Sequence, residues 1–228
     1  MITFFTNIAG FEHQLRETMM DKSTAKNETV GCTKSFGFIE LKPNFISAAD
    51  YLICNPNRVV AFPTPNFEWW LPENTSSEVF EIVAPAYQAG RLLGEALLMR
   101  DFPEEIVATV ISSARAFQVM GASHQCLLQF VIIKSDSLRF ADNAIFSLHR
   151  DYDRNYPSMM ITRLVQVISG APTIWCQKEG EKASLFTLPF PHAVIFNSNF
   201  ECGPLHSSPP MDYIRILFIG TLFSRRCY

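Results

Sequence analysis

The sequence lacks most of the features that would assign a function at once. Its net charge is −3, charged residues make up only 18%, and no run of lysine or arginine occurs. Nothing therefore attracts a polyanion, which argues against a nucleic-acid partner. No hydrophobic run reaches, uninterrupted, the roughly 20 residues that a membrane helix needs. The first residues show neither the basic flank nor the long apolar stretch of a leader. The expectation is a soluble, cytoplasmic protein with no membrane association. The 6 cysteines, at positions 32, 54, 126, 176, 202 and 227, form no C-x-x-C pair, so reduced thiols are expected rather than a disulfide framework. Cys202 and His206 have C-x3-H spacing, but no second pair completes a zinc site. There is no internal repeat and no low-complexity tract.

What is present is an ordinary globular composition. Apolar residues account for 48% of the 228, and the 20 phenylalanines suit a well-filled β-rich interior. This length predicts a single domain, 1–228, large enough to bury a substantial core. Residues 1–120 read as a support region. Up to residue 48 the chain is mixed and polar, as in a loop or arm. Four prolines, at 56, 63, 65 and 72, interrupt the next stretch around Trp69-Trp70, leaving room for a short strand at 58–62. That tryptophan pair is read as packing, or as a lid.

Apolar residues at helical steps (Val79, Ile82, Val83, Tyr87, Leu92, Leu93, Ala96, Leu97) predict a helix over about 77–99. A second is predicted over 103–120, with Asp101 as cap, Pro103 in the first turn and Glu104 and Glu105 at its positive end. After Gly121 the pattern turns to short strands between turn residues, at 126–134, 144–151, 159–169, 173–177, 184–188, 192–197, 204–207 and 213–223.

The polar residues inside this apolar last third carry the chemistry. Strand parity puts His149 and Asp151 of IFSLHRD on one face. A second histidine, His206, follows 57 residues after His149, and Arg215 comes nine later inside YIRILFIGTLF. Two histidines and a carboxylate are the facial ligand set of non-heme Fe(II). An arginine among apolar neighbours is costly unless an acid pairs with it; the partner is either a bound acid or an internal Asp or Glu.

This order and spacing resemble the Fe(II)/2-oxoglutarate-dependent dioxygenase superfamily over residues 125–225, with H-x-D, a late histidine and an arginine about ten residues beyond. A second likeness is Arg163 followed by Gly170-Ala171-Pro172-Thr173-Ile174-Trp175, similar to the R…GG-x-T-x-F/W stretch of prolyl-hydroxylase-like members. The resemblance implies an α+β fold in which a double-stranded β-helix (jelly roll, cupin-like) fills 121–228, braced by the two helices before it. It implies Fe(II) held by His149, Asp151 and His206, and 2-oxoglutarate as cosubstrate on Arg215. Thr173 and Ser207 are candidate hydroxyl donors to it, and Arg163 a candidate for cosubstrate or substrate. The substrate would be a small molecule or a side chain.

Each residue has a rival. Asp153 shares the parity of Asp151, His192 competes with His206, and Trp175 is either pocket wall or core. Two other functions fit the same ligands: a non-catalytic cupin-like barrel that binds a metal or small acid, and a metal-dependent barrel enzyme that does not use 2-oxoglutarate.

Overall fold

The structure, a computed structural model, describes residues 39–65, 67, 76–121, 123–133, 148–179, 182–188, 191–208 and 214–223. All these belong to one compact unit, Ser35–Tyr228. The elements in chain order are β1 (Glu40–Leu41), α1 (Phe45–Cys54), β2 (Val59–Pro63), β3 (Glu78–Pro85), α2 (Ala86–Leu98), α3 (Glu104–Gly121) and β4 (Gln125–Ile133). They continue with β5 (Ile161–Ser169), β6 (Ile174–Glu179), β7 (Lys182–Thr187), β8 (His192–Ser198), β9 (Leu205–Ser207) and β10 (Arg215–Phe223). Trp69-Trp70 lies outside the described residues.

The helix expected over 77–99 is a strand followed by a shorter helix. Glu78–Pro85 alternates, with Val79, Glu81 and Val83 exposed and Phe80, Ile82 and Ala84 turned to the core. Its β-branched residues suit a pleated strand, and eight register pairs with β4, from Glu78↔Ile132 to Pro85↔Gln125, outweigh the accidental helical spacing. The helix then starts at Ala86. The α1 helix was not anticipated. Asn44 caps it by accepting from the Ser47 amide at 3.0 Å, and Ala48, Ala49 and Leu52 bury one stripe. In α2, Gly90 and Gly94 allow close approach to α3, since a Cβ at Gly90 would lie 2.9 Å from that of Ala114.

Two sheets form the core. The large one has the order β1-β2-β8-β5-β10-β4-β3 and the small one β7-β6-β9. His149 adds a bridge to His206 at the edge of the small sheet. From β4 onward the chain therefore visits large, small (the His149 segment), large (β5), small (β6, β7), large (β8), small (β9) and large (β10). That eight-segment path between facing sheets, its own pairings all antiparallel, is a jelly roll of the double-stranded β-helix kind. β1, β2 and β3, all from before residue 121, extend the large sheet on both sides.

Each face of the large sheet is covered differently. On the outer face Leu128, Phe130, Leu164, Ile168, Ile195, Ile216 and Phe218 meet α1, α2 and α3 through Leu52, Leu93, Leu97, Ile106, Val110 and Phe117. Phe130 lies edge-on to Phe102, with ring centroids 5.0 Å apart. On the inner face Val59, Ala61, Val165, Val194 and Phe196 pack against Trp175 of the small sheet. Cys54, Cys126 and Cys176 are free thiols, but Cys202 is disulfide-bonded, against the expectation of reduced thiols throughout; its partner lies outside the described residues. No helix among the described residues is long and apolar enough to cross a membrane.

Candidate metal centre

His149, Asp151 and His206 meet between the sheets, with one ligand atom from each lying within 4.8 Å of the others. The backbone sets this meeting. His149 and His206 exchange two amide-to-carbonyl hydrogen bonds, both 3.0 Å, as an antiparallel hydrogen-bonded pair does. Their rings stand 4.6 Å apart. Two residues on, Asp151 projects to the same side, and its Oδ2 lies 3.4 Å from His206 Nε2. His149 is exposed, Asp151 half-buried and His206 buried, so the cluster runs inward from solvent.

His206 is held on every side. Trp175 lies against its ring at 5.1 Å and Phe196 at 5.7 Å. Its Nδ1 is 3.2 Å from the Pro204 carbonyl. A proton on Nδ1 donated to that carbonyl would leave the Nε2 lone pair to a metal, which would replace the proton that Nε2 shares with Asp151 Oδ2. Two imidazoles and one carboxylate, with the buried imidazole so oriented, fit an iron(II) ion.

Asp151 is strongly acidic. Burial pushes its carboxyl up, but the His206 hydrogen bond and the positive charge of Arg163 and the two histidines outweigh burial. They hold it well below the usual carboxylate range, charged and ready to ligate. Arg163 Nε donates to Asp151 Oδ2 at 3.0 Å, and its Nη1 donates to Thr221 Oγ1. Arg163, a candidate contact for cosubstrate or substrate, thus sits on the Asp151 carboxylate.

Arg215 is 1% exposed. Nε donates to the Ala171 carbonyl at 2.9 Å, Nη1 to Ser208 Oγ at 2.8 Å and Nη2 to Thr173 Oγ1 at 2.6 Å. Gly170, at φ +95°, lets the chain pass over it, since a Cβ there would lie 3.0 Å from Arg215 Cα. Thr173, a candidate donor to a cosubstrate, lies beside Arg215 and accepts from it. The hydroxyl that meets Arg215 from the other side is that of Ser208, whereas Ser207 Oγ is buried with no hydrogen-bond partner. Ser207 alternates with His206 on β9, so it faces away from the cluster.

The rivals stand elsewhere. Asp153 Oδ1 accepts from the Asn155 amide at 2.8 Å in an exposed turn. His192 lines a recess of about 300 Å³, part of it open to solvent, with Thr173, Trp175, Val165, Val167 and Val194. Thr173 therefore touches both this recess and Arg215.

No family model matches the sequence, and no curated protein matches it. Searched by structure, the chain is similar to a dioxygenase for auxin oxidation from Arabidopsis thaliana, solved with 2-oxoglutarate (9% identity, 84% of this chain and 94% of that one, TM-score 0.48). It is also similar to an oxidoreductase of the 2OG-Fe(II) oxygenase family from Burkholderia pseudomallei (13% identity, 84% and 96%, TM-score 0.41). A prolyl-4-hydroxylase from Pseudomonas putida is a third (13% identity, 83% and 96%, TM-score 0.41). The path of the strands and the side-chain cluster, not these distant likenesses, support the functional reading.

Proposed function

We propose that this protein is an Fe(II)- and 2-oxoglutarate-dependent oxygenase acting on a small molecule or a side chain. The observation that carries this reading is the cluster of His149, Asp151 and His206 within 4.8 Å at the mouth of a double-stranded β-helix. His149, Asp151 and His206 would hold the iron and Arg215 the distal carboxylate of 2-oxoglutarate. Iron and the 2-oxo acid, when bound, supply the oxidising chemistry: oxygen is consumed, the 2-oxo acid loses carbon dioxide to give succinate, and the substrate is oxidised. The chain's own part is placement and protection. Thr173, Ser208 and the Ala171 carbonyl hold the Arg215 fork in one orientation, so that a carboxylate finds its donors pre-aligned. Val165, Val167, Val194 and Trp175 wall the neighbouring recess and keep water from the reacting groups.

The same three contacts suit an arginine with a purely structural role. They favour, as a second reading, a metal-dependent barrel enzyme without 2-oxoglutarate, or a cupin-like metal-binding barrel. Anaerobic addition of Fe(II) and then 2-oxoglutarate separates them. A visible metal-to-ligand charge-transfer band is expected; iron bound without the band supports the second reading, and a folded protein that binds no iron removes both. His149→Ala, Asp151→Ala and His206→Ala should each lose iron, while His192→Ala keeps it.

A further inference from the structure

We infer that Arg163 is the positioning residue of the proposed metal centre, the group that aims and steadies the Asp151 carboxylate. This rests on the metal reading above and goes beyond it by assigning a role to a residue that is not itself a ligand. The two histidines are tied to each other through the backbone by the His149–His206 bridge. Among the described residues Asp151 has no such backbone tie. It lies outside any regular strand, two residues past the bridge, so the ladder fixes its backbone on one side only. Its side chain meets His206 at 3.4 Å, and Arg163 holds it more closely, at 3.0 Å, from the facing sheet.

Arg163 stands in the middle of the large sheet, paired in register with Phe196 on β8 and Thr221 on β10. Its position there is fixed by ladders on both sides. From this anchored strand Nε reaches Asp151 Oδ2 at 3.0 Å, while Nη1 is tied back to Thr221 Oγ1. Thr221 is 2% exposed. The guanidinium thus links three separate stretches of chain: the segment carrying His149 and Asp151, β5 and β10. A planar fork with one donor on the carboxylate and another on a buried hydroxyl has little freedom to rotate, and it passes that restraint to Asp151. An outer partner of this kind orients a metal ligand, and losing it typically costs about 10–100-fold in metal affinity.

The test is Mn(II) binding followed by electron paramagnetic resonance, with the visible spectrum of the Co(II) form as a report on ligand geometry. It uses the full chain and the Arg163→Gln, Arg163→Lys and Thr221→Val variants, each checked for folding by near-ultraviolet circular dichroism. Arg163→Gln is expected to weaken Mn(II) binding at least tenfold and to alter the Co(II) spectrum. Arg163→Lys, which restores charge without the fork, should fall between Gln and wild type. Thr221→Val keeps Arg163 but frees its far end, and should show a smaller loss of the same kind. A folded Arg163→Gln protein with wild-type Mn(II) affinity and Co(II) spectrum overturns the positioning role while leaving the metal reading intact. Should Arg163→Gln fail to fold, Thr221→Val decides the matter, and wild-type affinity and spectrum there overturn the role. A wild-type protein that binds no Mn(II) overturns the metal reading and this role with it.

Discussion

The two faces of the large sheet use the same strands for different ends. The outer face is a largely apolar layer under three helices, and its polar groups include a buried hydrogen bond from Ser113 to Gln166, 2.7 Å long, and a half-buried one from Thr162 to Asn197, 2.6 Å long. The inner face has apolar clusters around Val165, Val194 and Phe196 and around Ile133, Val167 and Leu217. Toward its ends it carries Arg163 and Arg215, both meeting hydroxyls and, for Arg163, a carboxylate. Because side chains alternate along a strand, one ladder can bury hydrocarbon on one side and hold charge on the other. Stability should therefore reside mainly outside and chemistry inside, and substitutions on each face can check that division.

The largest effect should come from the outer face. Phe130→Ala empties a fully buried site beside Phe80 and Phe102 and should cost about 3–5 kcal/mol, read from denaturant unfolding. The fraction that stays folded should bind Mn(II) as the wild type does. A loss of affinity equal to the loss of stability would mean that the two faces are not separable.

Arg215→Lys tests the inner face with a smaller expected effect. It should weaken 2-oxoglutarate binding more than tenfold, about 1.4 kcal/mol or beyond, by calorimetry, while iron binding survives. Lysine keeps the charge but not the planar fork. Equal affinity would make Arg215 structural. Collapse of the fold would point the same way, because the Arg215 fork ties Ala171, Thr173 and Ser208 together.

The effects of pH have opposite signs on the two faces. Burial pushes the outer-face Cys126 thiol up from 9.0 to about 12. Its neutral form is favoured in the fold, so that contribution is complete below pH 9.0 and lost as pH rises toward about 12. Asp151 on the inner side is depressed. Its contribution is complete above the ordinary aspartate range near pH 4 and lost as pH falls through its lowered folded value. At neutral pH a thiol reagent should label the exposed Cys54 quickly and Cys126 only on unfolding, measured by mass spectrometry. Fast labelling of native Cys126 would show that the outer layer opens readily.

Much of the barrel could be read from the sequence because its strands are short apolar runs separated by Gly, Pro, Asn or Asp. Local rules suffice there. The same rules misread 78–85, where Val79, Ile82 and Val83 satisfy a helical step while the alternation runs through Phe80, Ile82 and Ala84, and only β4 alongside decides. They missed α1 because the polar stretch before it and the prolines after it drew attention from Asn44 and the Ala48, Ala49, Leu52 stripe. Within the site, H-x-D parity and the late histidine indicated a meeting that the structure brings about. The pairing of Arg163 with Asp151 could not be read, since it depends on which strand faces which across the barrel. Ser208 was missed for a related reason: β9 ends at Ser207, and beyond it strand parity no longer predicts direction.

The bridge between His149 and His206 also sets a clock. Each residue's amide proton is held by the other's carbonyl, so any fluctuation that parts this edge exposes both protons to solvent together and separates the two imidazoles at the same moment. Hydrogen exchange at these two positions should therefore be correlated. An ion held between the rings should slow both amides, and its residence time need never exceed the interval between successive openings of that edge.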